Sequence, residues 1–351
     1  MKICYHKSRY KLKTVRMNLF ARSFVLCFIP AFLLSQYKSD SVATFIFTGD
    51  FCLAHRFEAA AQNHSINVFA NWKSGKSVGN YDAMMVNLEN AVTRSVDSVE
   101  KEFVFKMKPE FLKQLKQADI SVVSCANNHA ADFGEEGILE TIRQLDSAGI
   151  QHIGIGRNFA EARRPVILNV NGIQIGFLGY GGVKDYIASR SKPGTTSRNE
   201  SIICNDIKKL KPRVDVVVVN LHWGEELATE PDQSQIELAH RIIDSGADLI
   251  IGHHPHVLQG IEKYHGKVIA YSLGNFVFGG NANNANSKTA VLKVRFANKA
   301  IDVQALPVRV RNWQPERADS IIAHRVLQML QERSKIFMET ISFKTLGAKY
   351  E

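Results

Sequence analysis

The stretch VDVVVVNLHWGEE, residues 214–226, decides the fold class of this chain. Its run of valines is typical of a strand that is buried on both faces, and His222 stands where the run ends. Residues 233–245 have the apolar spacing of an amphipathic helix closed by Gly246, and residues 249–252 form a second apolar run. A strand, a helix and another strand in this order indicate an α/β fold.

The same alternation extends from about residue 44 to about residue 307. Further strands are predicted over Thr44–Thr48, Ala83–Leu88 and Ile120–Ala126, and further helices over Pro109–Ala118 and Glu135–Ala148. Asn171-Gly172, between two apolar runs, is a strong hairpin signal. Residues 289–296 and 301–310 predict an antiparallel pair around Asn298-Lys299. These hairpins favour a mixed sheet, or two sheets packed face to face with helices outside.

Three other segments have distinct compositions. Residues 183–200 are polar and predict a surface loop, and residues 279–288 (GGNANNANSK) predict a low-complexity loop. Residues 316–339 predict a terminal helix.

The charge and cysteine content narrow the function classes. The net charge of +10 would suggest a nucleic-acid partner, but residues 1–36 carry +7 of it, with seven lysines and arginines and no acid. The modest excess on the rest of the chain needs no polyanion partner, so we predict no nucleic-acid binding. The five cysteines form no CxxC pair, which indicates neither a disulfide framework nor a zinc knuckle.

The N-terminal region has the order of a secretory signal. Basic residues precede an apolar run over 24–34, and a polar stretch follows over 35–41. The run is shorter than the roughly 20 residues of a membrane-spanning helix. Residues 1–37 are therefore interpreted as a cleaved signal peptide or as an uncleaved membrane anchor, and a cytosolic protein is the alternative. Either of the first two places the protein outside the cytoplasm, secreted, periplasmic or anchored on the extracytoplasmic face of the membrane.

Side chains that bind metals stand where the predicted strands end. They are Asp50, Glu89, Asn128, His129, His222, His254 and His256. In an open α/β protein, the carboxyl ends of strands converge on one crevice. A mixed set of imidazole nitrogens and carboxylate and amide oxygens suits Mn, Zn or Fe better than Ca. The sequence therefore predicts a metal centre and, most simply, a hydrolase.

These residues differ in how specific their signal is. Asp50 and Glu89 taken alone have an equally ordinary interpretation as loop acids that cap the next helix. Three histidines within residues 253–256 are the strongest signal. His254 and His256 project to one side if the segment is extended, and Pro255 favours that conformation at the residue before it.

The motifs, taken in order, resemble the CapA family of capsule and poly-γ-glutamate biosynthesis proteins. The resemblance covers roughly residues 44–280. It rests on GD at 49–50, NLE at 87–89, ANNHAADFG at 126–134, HWGEE at 222–226, GADLIIGHHPHVLQ at 246–259 and YSLGNFVF at 271–278. The family belongs to the calcineurin-like metallophosphatase superfamily, so the resemblance implies a four-layer α/β/β/α sandwich with mixed sheets. It implies a CapA-type domain over residues 41–310, followed by a C-terminal helical extension over 311–351.

The resemblance also implies roles for individual residues. The implied ligands of one or two metal ions are Asp50, Glu89, Asn128, His222, His254 and His256, with Glu89 bridging. His129, oriented by Asp132, would protonate a leaving oxygen, and Arg56 would neutralise substrate charge. The superfamily's first motif is Asp-x-His, whereas position 52 is Cys. His55, Arg56 or a thiolate of Cys52 are the candidates for the missing contact.

The implied function is a metal-dependent, phosphoesterase-like hydrolase in capsule or poly-γ-glutamate synthesis. Its expected partners are an anionic polymer or phosphoester substrate and membrane-bound polymer synthase components. Two alternatives stay open. One is a non-catalytic assembly or export component of an anionic surface polymer. The other is a metal-dependent amide hydrolase that acts on a γ-glutamyl polymer, because bound metals polarise carbonyls as well.

Overall fold

A computed structural model describes residues 41–63, 66–72, 78–279, 287–297 and 300–343, which fall within one compact unit. The predicted signal or anchor over residues 1–37 lies outside the described residues. So do the Asn298-Lys299 turn and most of the predicted loop over 279–288.

The strands are β1 (Val42–Cys52), β2 (Ala83–Leu88), β3 (Ala91–Val92), β4 (Lys106–Met107), β5 (Ile120–Ser124), β6 (Gln151–Ile153), β7 (Ile155–Gly156), β8 (Val166–Val170), β9 (Ile173–Tyr180), β10 (Gly194–Thr195), β11 (Val216–His222), β12 (Leu249–His253), β13 (Ile261–Tyr264), β14 (Lys267–Ala270), β15 (Asn275–Phe278), β16 (Ser287–Ala297), β17 (Ala300–Arg311) and β18 (Gln314–Arg317). The α-helices are α1 (Arg56–Asn63), α2 (Leu112–Gln117), α3 (Gly134–Ala148), α4 (Phe159–Ala162), α5 (Glu200–Leu210), α6 (Gln233–Asp244) and α7 (Ser320–Arg333).

Two large mixed sheets carry the fold. The first has the order β18-β17-β16-β1-β2-β5-β6, and β15 also pairs with β1. The second has the order β13-β14-β12-β11-β9-β8. β1 is parallel to β2 and antiparallel to β16, and β9 is parallel to β11 and antiparallel to β8. The predicted mixture of parallel and antiparallel strands is confirmed.

Three apolar clusters define four layers. Phe45 of β1 and Phe177 of β9, whose ring centroids lie 5.6 Å apart, belong to the cluster between the two sheets. Ile46, the next residue of β1, lies instead in the cluster that includes Ile138 of α3. On the other side, the second sheet packs against α5 and α6, as in the cluster that contains Ile242. Strand side chains alternate between faces, and the result is the α/β/β/α sandwich that the resemblance implied.

Local sequence signals set several of the connections. Asn171 (φ 53°) and Gly172 (φ 87°) join β8 to β9, and two positive φ angles are what a type I′ hairpin turn requires. The side chains of Asp232 and Gln235 form a reciprocal capping box at the start of α6. Both the hairpin and the helix were predicted.

The prediction of a surface loop over residues 183–200 is wrong in part. Gly194–Thr195 form β10, which pairs with β7, and both residues are buried. The amides of Gly181 and Gly182 donate to the carbonyl of Thr196, at 3.2 and 2.8 Å. Backbone hydrogen bonds satisfy the polar groups of this buried segment. The amino-acid composition does not reveal these hydrogen bonds.

The C-terminal part packs onto the sandwich. β18 is the edge strand of the first sheet. Val326, Leu327 and Leu330 of α7 join the apolar cluster between the sheets. Among the helices of the described residues, none has the length and apolar composition that crossing a membrane requires.

Candidate metal centre

The two sheets bring their polar strand ends together. In the first sheet, Asp50 of β1 is in register with Asn87 of β2 and Asn275 of β15. In the second sheet, His222 of β11 is in register with His253 of β12, on parallel strands. The carboxyl ends of parallel strands thus supply the site, as expected for an α/β fold.

Two groups of side chains that could hold a metal ion share one residue. The first is Asp50, Glu89 and His256, and the second is Glu89, His222 and His254. Within each group, one ligand atom from each residue lies within 4.8 Å of the others. Glu89 is common to both, so its carboxylate lies where it could bridge two cations. Carboxylate and imidazole ligands together suit Mn, Zn or Fe.

The first group surrounds Asp50. His256 Nδ1 lies 3.1 Å from Asp50 Oδ2, and His256 Nε2 lies 3.6 Å from Glu89 Oε1. His253 Nδ1 lies 3.3 Å from Asp50 Oδ1. Asn275 Oδ1 contacts His256 Nδ1 at 2.9 Å. Both carboxylates are fully buried, so their charges are shielded from bulk solvent.

The second group joins both sheets across the crevice. His222 Nε2 lies 3.6 Å from Glu89 Oε1 and 2.8 Å from Asn128 Oδ1. The His222 and His254 rings have centroids 4.7 Å apart. The Asn128 amide oxygen therefore stands beside the group, where a metal ligand is expected. The ligand roles themselves stay predictions.

Asn87 was not among the predicted site residues, yet it lies at the centre of the cluster. Its Nδ2 donates to Asp50 Oδ1 at 2.9 Å and to Glu89 Oε2 at 3.1 Å. Asn127 Nδ2 in turn donates to Asn87 Oδ1 at 3.1 Å. An amide inside the apolar run AMMVNL was the available signal, because a buried polar group is costly unless it is bonded.

The charges in the cluster favour an added cation. Burial and the Asp50 carboxylate raise the pKa of Glu89 well above its ordinary value. Burial acts to raise the pKa of Asp50 as well, but the imidazoles of His253 and His256, which lie 3.3 and 3.1 Å from its oxygens, outweigh burial and hold that pKa low. Burial acts to lower the pKa of His256, but Glu89 and Asp50 raise it to about 10.

Several ligand atoms are buried without a hydrogen-bond partner. Within the part of the chain that the structure describes, Asp50 Oδ2, Glu89 Oε1 and His254 Nδ1 make no aligned hydrogen bond. Buried polar groups are normally satisfied. Divalent cations would satisfy all three atoms at once, so the residues present fit the metal that the resemblance implies.

The prediction of an extended histidine segment is wrong. His254 has φ 99° and His256 has φ 58°, in a bend that follows β12. The bend is held by hydrogen bonds from the Leu227 amide to the Pro255 carbonyl and from Ser272 Oγ to the Val257 carbonyl, at 2.9 and 2.7 Å. These contacts override the local preference of the residue before proline. Such strain is typical of sites whose geometry matters for function.

His129 and Asp132 form a pair at the edge of the cluster. His129 Nδ1 lies 2.6 Å from Asp132 Oδ2, which also accepts from the Phe105 amide at 2.6 Å. Lys101 Nζ lies 3.0 Å from Asp132 Oδ1 and 3.2 Å from His129 Nδ1. Burial lowers the pKa of His129 despite the Asp132 carboxylate. No sequence signal pointed to Lys101, because it lies in an irregular loop.

Cys52 belongs to no ligand group of the described residues, and Arg56 lies on the surface. Arg56 is exposed at the start of α1, and no ion pair joins it to a described carboxylate. Cys52 is buried in a small apolar cluster with Phe105 and Phe278. Burial raises the pKa of the Cys52 thiol well above its ordinary value, and the Glu89 carboxylate adds to the rise. The exposed His55 ring contacts Phe105 edge-on, with centroids 5.3 Å apart.

The sequence over residues 44–280 matches the family model described as bacterial capsule synthesis protein PGA_cap. This chain belongs to that family. The chain is 35% identical to the capsule biosynthesis protein CapA of Bacillus anthracis, over 72% of this chain and 64% of that one. It is 34% identical to the PGA biosynthesis protein CapA of Bacillus subtilis strain 168, over 68% and 64%. A probable polyglutamine synthesis accessory protein of Mycobacterium tuberculosis is 28% identical over 73% of each chain.

The PGA_cap match includes all residues of the candidate metal centre. Residues 44–280 contain every member of both ligand groups and the His129–Asp132 pair. The predicted resemblance to CapA proteins is confirmed. The chain spans 64% of the length of each of the two CapA relatives.

Proposed function

We propose that this chain is a metal-dependent hydrolase of the phosphoesterase type that acts in the synthesis of a capsule polymer. The observation that carries the proposal is the position of Glu89, fully buried and shared by the two ligand groups. A pair of bound divalent cations would polarise a phosphoryl oxygen and lower the pKa of water. Asp50 and His256 would hold one cation with Glu89, and His222 and His254 would hold the other, beside the amide oxygen of Asn128.

His129 is the proton donor in this proposal. Its Nδ1 is engaged by Asp132 at 2.6 Å, which leaves Nε2 as the nitrogen that exchanges a proton with the leaving oxygen. Asp132 is itself held by the Phe105 amide and by Lys101. Since burial lowers the pKa of His129, the protonated ring is a stronger acid than an exposed imidazolium.

The polymer role follows from the family. Two relatives carry the names capsule biosynthesis protein and PGA biosynthesis protein. We extend that role to this chain, with an anionic polymer or a phosphoester as substrate and membrane-bound synthase components as partners. Within residues 1–41, basic residues are followed by an apolar run and then by a polar stretch. This order is typical of a secretory signal and supports a role outside the cytoplasm.

One observation favours a non-catalytic role in polymer assembly or export instead. The Cys52 side chain lies in an apolar cluster, at a position where the wider superfamily has a metal-binding histidine. An enzymatic and a non-catalytic role give different results in a direct assay.

The test is hydrolysis by the purified chain, loaded with Mn²⁺ or Zn²⁺. A generic aryl phosphodiester and a γ-glutamyl polymer serve as parallel substrates. Phosphodiester turnover that falls at least about 100-fold in His222→Ala, with the exposed His324→Ala as the matched control, supports the proposal. Turnover of the γ-glutamyl polymer alone indicates the amide hydrolase. A metal-loaded protein that is inert to both substrates contradicts an enzymatic role.

A further inference from the structure

Glu226 belongs to a third group of metal-binding side chains. A carboxylate oxygen of Glu226 lies within 4.8 Å of ligand nitrogens of His254 and His256. These two histidines belong to different ligand groups, so Glu226 reaches both halves of the centre. Unlike Asp50 and Glu89, which are fully buried, Glu226 is exposed. It therefore approaches from the solvent side of the crevice.

The loop that carries Glu226 is fixed against the histidine bend. The next residue, Leu227, donates its amide to the Pro255 carbonyl at 2.9 Å and has φ 63°. Gln259 Nε2 donates to the Ala228 carbonyl at 3.0 Å. Gly224 has φ 86°, and a Cβ there would lie 2.8 Å from the Gln235 amide group. These contacts hold the backbone on both sides of Glu226 close to the centre.

The neighbouring acid behaves differently. Glu225 and Glu226 are adjacent acids in the loop between β11 and α6, which begins at Gln233. Glu225 is also exposed, yet it is absent from every ligand group of the described residues. Comparing variants of the two acids therefore distinguishes an effect of proximity to the centre from an effect of negative charge on the loop.

Charge balance gives Glu226 a reason to bind. Two divalent cations beside two buried carboxylates would retain a net positive charge, and a third carboxylate reduces it.

We infer that Glu226 is a further carboxylate ligand of the metal centre, entering between His254 and His256 from the solvent side. The inference rests on the metal centre of the proposed function. Because Glu226 occupies the open side, the anionic group of a substrate must displace it or bind next to it. Substrate binding would then change a carboxylate contact to the metal, so the affinity for metal and the binding of substrate depend on each other.

The experiment measures metal affinity without substrate. The full chain, Glu226→Gln and Glu225→Gln are titrated with Zn²⁺ against a competing chelator, and Co²⁺ absorption spectra are recorded in parallel. We expect Glu226→Gln to bind at least about 10-fold more weakly and to show a changed Co²⁺ spectrum. Glu225→Gln should match the parent chain in both. Equal thermal unfolding of the three metal-free proteins checks that the fold is intact.

Three results overturn the inference, and they are distinguishable. If the parent chain binds metal and Glu226→Gln binds it equally well with the same spectrum, Glu226 is not a ligand and the metal centre of the proposed function stands. If the parent chain binds no metal, the inference fails together with that metal centre. A weakening in Glu225→Gln equal to that in Glu226→Gln also overturns the inference, because it shows a loop-charge effect without coordination.

Discussion

His129 and Asp132 face each other across one short turn, with Nδ1 2.6 Å from Oδ2. Both side chains are almost fully buried. The contact assigns the Nδ1 proton to the side of Asp132 and leaves Nε2 to exchange protons. The amide of Phe105 and the ammonium of Lys101 hold the carboxylate in place. The pair is therefore an oriented imidazole at the edge of the ligand groups.

Replacing Asp132 by Asn should slow hydrolysis by about 10- to 100-fold, because a neutral amide replaces the carboxylate that fixes the orientation and tautomer of the ring. Metal content should stay unchanged, since Asp132 belongs to neither ligand group. Steady-state turnover of a phosphodiester and metal analysis of the same samples measure both. Asp97→Asn, at an exposed acid in the same loop region, is the control. Full activity in Asp132→Asn would show that His129 is not the proton donor.

Metal removal should destabilise the protein. A ligand that binds only the folded state, at a free concentration 100 times its dissociation constant, stabilises that state by about 2.7 kcal/mol. For a chain of this size, we expect about 5 °C or more between Mn²⁺-loaded and chelator-treated protein in thermal unfolding. The double variant His254→Ala/His256→Ala should show no difference, and His324→Ala should behave as the parent chain. An equal difference in unfolding temperature in the double variant would show that the stabilising cation binds at another site.

Gly49→Ala should disrupt both fold and site. A Cβ at this position would lie 1.8 Å from the Gly274 carbonyl oxygen, which accepts the Asp50 amide at 2.8 Å. The overlap forces β1 away from that turn, so we expect a loss of about 3 kcal/mol in the free energy of unfolding by urea. Metal affinity should fall as well, because Asp50 is the next residue. Gly266→Asn, in an open turn at φ 75°, should change stability little. Equal stability of both variants would contradict the close approach.

His152 should contribute to acid sensitivity. Burial lowers the pKa of His152, whose side chain is 7% exposed and lies 3.3 Å from Asp146. In the unfolded chain, the His152 imidazole binds a proton near pH 6.5. In the folded chain it binds that proton only at lower pH. Stability from this residue is therefore present above pH 6.5 and is lost as the pH falls through that range. Urea unfolding of His152→Gln should show a smaller loss than the parent chain between pH 7 and pH 5. An identical loss would show that His152 does not contribute, and His324→Gln provides the comparison.

The sequence predicted most of the layers because their signals are local. The valine run before His222, the Asp232 cap and the Asn171-Gly172 turn each specify their element with residues only a few positions apart. The family resemblance added the arrangement of the two sheets, which strand periodicity alone left open. The apolar clusters on each side of the sheets confirm it.

The remaining features depend on contacts between distant segments. The positive φ of His254 belongs to a bend in which the Pro255 and Val257 carbonyls accept hydrogen bonds from Leu227 and Ser272, and nothing in the residues around His254 encodes these contacts. Lys101 reaches Asp132 from an irregular loop. Glu226 differs from Glu225 only through its place above the histidines. Local patterns do not report such long-range geometry.

The central claim is that one buried carboxylate serves two metal positions, and metal stoichiometry per chain tests it most directly. The parent chain, Glu89→Gln and His256→Ala should be loaded identically, desalted and analysed for bound Mn²⁺ or Zn²⁺. Because Glu89 belongs to both ligand groups and His256 to one of those two, Glu89→Gln should lose nearly all bound metal, whereas His256→Ala should retain part of it. Full metal content in Glu89→Gln, or none in the parent chain, would contradict the account.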